Sequence, residues 1–260
     1  MKAKGCAVVT ALLLVTTFGG NAFAGGWGPY FSWGRDQPSA GIPDFLLEEA
    51  ADIGIPVALA EAVDLDFTLD HLTFGVLYDS APSRDKLFNY RATLGFDIAI
   101  KTEIDSVEVP GIGDINISDL GLGFDVDKNG YGLTTTHTFG FALVRTKLLK
   151  WWIGPGLRLN FNYYSYSSHI RNFLGQNLDI EAANLIIGGG ADTGINLHIS
   201  PAVSLSLGGG VHWNAFGYAA GSNDIGSFVW GNGPFYFIQV AALFHTGEDK
   251  DAWASAASAP

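Results

Sequence analysis

Cysteine is almost missing from this chain: the only one, Cys6, falls within the first two dozen residues. A fold stapled by disulfides is therefore excluded, and burial and backbone hydrogen bonds must hold the rest together. Charge is scarce at 15% of residues and unbalanced, with 14 Lys and Arg against 26 Asp and Glu and a formal net charge of −12. That sign disfavours nucleic acid and anionic membrane surfaces as partners. Beyond residue 24 no run of 18 consecutive apolar residues occurs, which excludes a helical membrane protein. Phosphate loop, zinc-ligand spacing and nucleophile elbow are all missing, and no cofactor is expected.

The first residues read as a leader. Lys2 and Lys4 precede an apolar run from Ala7 to Phe18 and then Asn21-Ala22-Phe23-Ala24, the pattern of a secretory signal cleaved before Gly25. Cys6 precedes most of the apolar run, which argues against a lipoprotein site. Residues 1–24 thus read as a signal peptide, 25–247 as one domain and 248–260 as a disordered periplasmic tail.

From Tyr131 to Tyr166 the residues sort by parity. Odd positions hold Leu133, Phe139, Phe141, Leu143, Trp151, Ile153, Leu157, Leu159, Phe161 and Tyr163. Even positions hold Gly132, Thr134, Thr136, Thr138, Gly140, Ala142, Gly154, Gly156, Arg158, Asn160 and Asn162. A period of two marks strands, so this is a long hairpin with its turn at Lys147 to Lys150. The polar face is rich in Gly and Thr, which suits the inside of a narrow closed barrel whose outside meets lipid.

The same alternation recurs in Leu72–Tyr78 and Phe88–Ile100 around a short turn, Ser80 to Lys86, and again in Leu185–Ile199, Val203–Trp213 and Tyr236–Phe244. Trp27, Pro29, Phe31 and Trp33 share a parity and read as a first strand. Leu65, Phe67 and Leu69 alternate out of phase with Leu72 and Phe74, so that strand bulges near Asp70-His71 or begins only after it. Asp36 to Asp66 is acidic and reads as a long loop, with short helices capped by Asp44 and opened by Pro56. Residues 119–127 alternate too, and Asn129-Gly130 is a strong hairpin signal, predicting that they fold back on Tyr131.

A barrel in lipid must close, and bacterial barrels of this kind have an even strand count. Eight strands arise in two ways: counting 27–35 and omitting 119–127, or the reverse. The first is preferred because its connections alternate between long (36–66, 102–130, 167–180, 220–234) and short (80–86, 147–150, 200–202), as external loops and periplasmic turns do. The fold class is accordingly all-β, a closed antiparallel transmembrane β-barrel of eight strands with short helices in the first long loop. Tyr163, Trp213 and Tyr236 would form the outer aromatic girdle, and Trp27, Tyr78, Tyr90, Trp151 and Phe244 the inner one. His137 shares the lipid-facing parity and is tolerable only at or above the outer interface.

The cleavable leader, strands such as Ile153-Gly-Pro-Gly-Leu-Arg-Leu-Asn160, the loop alternation and the aromatic end at Phe244 resemble the small outer-membrane barrels of Gram-negative bacteria, the OmpA/OmpX/OmpW-like class. The resemblance is architectural and covers nearly all of 25–247; a polar tail follows the terminal aromatic residue, where that class usually stops. It implies an outer-membrane location, monomeric assembly by the barrel-assembly machinery, and contact with outer-membrane lipid and lipopolysaccharide. The implied role is membrane integrity or loop-mediated binding, with a narrow conduit for small or apolar solutes as one alternative and a lipid A-modifying enzyme as another.

Arg91, Asp97, Lys101, Arg158, Asp192 and His198 fall on the polar parity and read as a buried lumen network, since an eight-stranded barrel is just wide enough to be filled by side chains. Asp125, Asp127 and Asn129 resemble half of a calcium loop, but Thr136 stands where a closing acid is needed, and the hairpin-turn reading is preferred. His212-Trp213-Asn214 lacks the serine a lipid A deacylase would show, and Ser165, Ser167, Ser168 and His169 form a Ser-rich loop rather than an oriented pair. No catalytic residue is expected.

Overall fold

The alternating segments become strands of a single closed ring. The structure is a computed structural model and describes residues 25–41, 64–82, 86–109, 113–116, 126–168, 178–222 and 225–246. Its elements are β1 (Gly25–Asp36), β2 (Ser39–Gly41), β3 (Asp64–Asp79), β4 (Phe88–Val109), β5 (Gly113–Asn116), β6 (Val126–Arg145), β7 (Leu149–Ser168), β8 (Leu178–Ser200), β9 (Val203–Ser222) and β10 (Ile225–Thr246). The eight long strands pair antiparallel around the ring β1-β3-β4-β6-β7-β8-β9-β10, and β1 closes it against β10 through pairs such as Trp27↔Phe244 and Trp33↔Ile238. Residues 27–35 therefore supply the eighth strand.

The two faces follow from the alternation. Phe74, Leu94, Phe139, Leu157, Ile187, Val211 and Ile238 are exposed on the outside, a continuous apolar surface that water would not tolerate and lipid requires. Trp27 and Phe244 meet at 6.4 Å near the short-turn end, and Tyr131 and Tyr163 at 5.8 Å near the other.

Four expectations about the connections are corrected. Asn129-Gly130 makes no turn: β6 runs through it, with Asn129↔Ser165 and Gly130↔Tyr164, because β7 extends far enough to offer a full ladder that outweighs the local turn preference. The stretch 220–234 is mostly strand, β9 reaching Ser222 and β10 resuming at Ile225. Likewise β4 continues to Val109 and forms a hairpin with β5, whose Gly113 takes φ +96°. Above the membrane both faces meet water, so pairing continues where the apolar alternation fades. Finally, the turn after β6 is Thr146 to Leu148, and Lys150 already lies in β7 with its side chain fully buried. The expected helices fall in 42–63, and the leader and tail in 1–24 and 247–260, outside the described residues.

The irregularity near Asp70-His71 is present, but the extra residue stands on the partner. Asp70 pairs with Lys101 and His71 with Ala99, leaving Ile100 as a bulge in β4 while β3 runs on unbroken against β1.

Candidate functional site: the polar lumen

The inward residues fill the barrel in layers. At the short-turn end Asp79 of β3 is wholly buried and accepts hydrogen bonds from Arg91 Nη1 (2.7 Å), Asn196 Nδ2 (3.1 Å) and the Ala81 amide (2.9 Å). Arg91 crosses the lumen from β4 to donate to Ser206 Oγ of β9 at 2.8 Å, and its guanidinium lies 4.4 Å over the Trp152 ring. Lys150 donates to the Ala81 carbonyl at 2.6 Å. Below this layer Ser204 Oγ sits between His198 Nδ1 (2.9 Å) and His245 Nε2 (2.8 Å).

Midway, Asp192 is held by Thr138 Oγ1 (2.5 Å) and His212 Nε2 (2.7 Å). Gly156 and Gly210 flank it so closely that a Cβ on either would come within 2.2 Å of a carboxylate oxygen, which is why the wall is glycine there. Nearer the long-loop end, Arg158 of β7 reaches the diametrically opposite strand and donates to both oxygens of Asp36, at 2.9 and 3.0 Å. Asn214 donates to the same carboxylate at 2.6 Å, His71 Nε2 stands 3.2 Å from it, and Phe235 lies beneath the guanidinium at 3.6 Å. Asp97 accepts from Thr73 and Asn160, and Asn162 donates to Asn160 at 2.5 Å.

Among the described residues these layers leave a small cavity, about 20 Å³, lined by Tyr30, His71, Thr93, Thr134, Arg158 and Gln239 among others. It has room for about one water. Tyr30 Oη and both ring nitrogens of His71 lack a well-placed hydrogen bond from protein; Nε2 faces the Asp36 carboxylate at 3.2 Å, and a single water can serve at most Tyr30 Oη and one of the two nitrogens.

Of the expected network residues, Arg91, Asp97, Arg158, Asp192 and His198 are inward and buried, but they belong to separate layers. Lys101 is corrected: the bulge at Ile100 shifts the parity of β4, and Lys101 is exposed beside Asp70 on the outer face. Asp36, His71, Asp79, Lys150 and Trp152 also fill the lumen and were not singled out, although each shares the parity of its small neighbours; His212, read above only as part of His212-Trp213-Asn214, joins them. Asp127 and Asn129 stand in extended β6, and Asp125 lies outside the described residues; an extended strand does not wrap oxygens around an ion. No metal-binding group of three His, Cys, Asp or Glu occurs among the described residues. In His212-Trp213-Asn214 the two polar side chains point inward to Asp192 and Asp36, while Trp213 faces out. Ser165, Ser167 and Ser168 belong to β7 rather than to a loop, and His169 lies outside the described residues.

His137 is also corrected. It lies midway along the outward row from Tyr131 to Leu143, within the apolar band, and is half-buried there by its neighbours. Thr135 Oγ1 donates to the Thr93 carbonyl (2.6 Å), so its oxygen accepts from His137 Nε2 (3.1 Å). The neutral ring then accepts at Nδ1 from the Tyr90 hydroxyl (2.6 Å). Every polar atom of this group is satisfied without water.

A closed ring, an apolar exterior and a filled polar interior define a transmembrane β-barrel of the outer-membrane type. The chain is similar in fold to a major outer membrane protein of Thermus thermophilus, at 13% identity and a TM-score of 0.42, covering 83% of this chain and 99% of that one. It is also similar to OprG of Pseudomonas aeruginosa, at 10% and 0.41, covering 86% and 97%, and to the outer membrane protease OmpT of Escherichia coli, at 11% and 0.37, covering 85% and 97%. No family model and no curated protein sequence matches the chain.

Proposed function

We propose that this protein is a sealed, monomeric outer-membrane scaffold that contributes to envelope integrity and holds recognition hairpins above the outer leaflet. The carrying observation is the layered lumen: two arginines cross it to the opposite wall, each against an aromatic ring, and the cavity beside Arg158 admits about one water. A solute conduit would need an unbroken path, which these layers interrupt. A lipid A hydrolase would need a nucleophile poised beside a base and open to the outer leaflet; His212 is committed to Asp192, and Ser204, held between His198 and His245, is fully buried at the short-turn end. In this reading the leader at 1–24 is cleaved on export, the barrel-assembly machinery inserts the chain, and neither cofactor nor nucleic acid takes part. The hairpins formed beyond the membrane by β4 with β5 and by β9 with β10 carry any binding, since recognition usually sits on segments held by a rigid scaffold.

Planar-bilayer recording of the purified, heat-modifiable protein tests the reading. Silence is expected; stable unitary conductance would overturn it in favour of the conduit.

A further inference from the structure

Among the described residues, the outer wall carries a row of charge at a height where apolar side chains give way to the aqueous side. Asp36 points into the lumen, so Arg35, its neighbour in β1, points outward. Cross-strand register places Asp70 of β3 beside Arg35, and Lys101 of β4 beside Asp70. Three adjacent strands thus present cation, anion, cation in line. Tyr236 of β10 pairs with Arg35 on the other side and is exposed. Asp70 takes the Nε and Nη2 edge of the guanidinium at 2.7 and 2.9 Å, and Trp33 lies under it at 5.5 Å, so Arg35 is held flat against the wall.

The height can be counted. Arg35 stands eight residues along β1 from Trp27 of the inner girdle. At about 3.4 Å per residue and a tilt of about 40° that is about 20 Å, close to the full apolar band of about 25 Å. The row therefore lies at the outer headgroup level. Among the described side chains, the other outward cations, Lys86, Arg145 and Lys147, lie at or beside the short turns, and Arg91, Lys150 and Arg158 are inside the lumen. The acids Asp64, Asp66, Asp105 and Glu108 stand farther out along β3 and β4. Among the described side chains, then, a chain that is acidic overall sets two cations against one acid at the level where this wall meets outer-leaflet headgroups.

We infer that Arg35 and Lys101, spaced by Asp70 and bordered by Trp33 and Tyr236, form a docking site for a phosphate of lipid A, the phosphorylated glycolipid of the outer leaflet. Charge complementarity selects the phosphate: two cations about 10 Å apart across three strands can bracket one sugar phosphate, and a charge-assisted contact at the membrane edge is stronger than in bulk water. Aromatic rings at the same level suit the sugar and acyl boundary. The overall acidity works against anionic surfaces in general and leaves this row as the local exception.

The test uses folded full-length protein in mild detergent, incubated with defined lipids and read by native mass spectrometry. Wild type is expected to retain bisphosphorylated lipid A. Lys101→Glu, an exposed change that should leave heat-modifiable migration intact, should lower the retained fraction about tenfold, and Arg35→Gln should lower it likewise. Lys147→Glu at the periplasmic turn should leave it unchanged. Equal retention by Lys101→Glu and wild type would overturn the site. So would equal retention of dephosphorylated lipid A, or displacement by phosphatidylglycerol or inorganic phosphate at matching concentration. Should Lys101→Glu fail to fold, Lys101→Gln replaces it with the same expected direction.

Discussion

Arg158 and Asp36 face each other across the full width of the barrel, from the middle of β7 to the last residue of β1, and join through two hydrogen bonds of 2.9 and 3.0 Å. Both side chains are about 3% exposed, so protein groups supply nearly all of this pair's surroundings. It ties the strand that closes the ring to the strand farthest from it.

Removing one partner of such a pair leaves a buried charge without compensation. Asp36→Ala should lower the unfolding free energy in lipid vesicles by about 3–5 kcal/mol. Asp36→Ala with Arg158→Met should cost less than Asp36→Ala alone, because the stranded guanidinium is gone. Urea titrations of the two variants provide the check; a double variant less stable than Asp36→Ala would contradict the pairing.

The seal should also be removable. Arg158→Ser combined with Phe235→Ala and Phe237→Ala deletes the guanidinium and the two stacked rings, which lie 5.6 Å apart beside His212. The triple variant is expected to show unitary conductance in planar bilayers where wild type is silent. A triple variant that folds and stays silent would locate the barrier elsewhere, in the Arg91 and Trp152 layer.

His137 offers a third measurement. Tyr90→Phe deprives Nδ1 of its donor in the apolar band and should cost about 1–3 kcal/mol. Tyr90→Phe with His137→Leu removes both partners and should unfold close to wild type. Proton NMR of the ring should show the proton on Nε2; a proton on Nδ1 would refute the hydrogen-bond order derived above.

The fate of Asn129-Gly130 is open to hydrogen exchange. As interior strand residues of β6, the amides around Gly130 should exchange slowly, in step with those of Tyr131 and Gly132. Rapid exchange there, as at a hairpin tip, would restore the turn.

Inside the membrane most of the architecture was legible from residue parity alone. Phe139 and Thr138, or Trp213 and His212, differ by one position and by a whole environment, and lipid on one side with a narrow lumen on the other enforces that difference. Arg91, Asp97, Arg158 and Asp192 could be placed inward for this reason. Their partners could not, because Asp36 lies far from Arg158 in sequence and meets it only once the ring is closed. Parity also fails wherever a bulge intervenes: Ile100 turns Lys101 from the lumen to the outer wall, and no residue type near it announces the slip. Beyond the headgroups the alternation fades, so strands at 102–109 and 225–234 read as loops.

By itself, then, the sequence determined the barrel class and which face of each strand meets lipid, since those follow from local alternation and composition. Tertiary structure alone decided which buried charges pair, how the inward side chains stack in layers, and that two cations come to stand in one row on the outer wall. Each of these depends on register and ring closure, which bring residues from distant strands within a few ångströms and which no local pattern encodes.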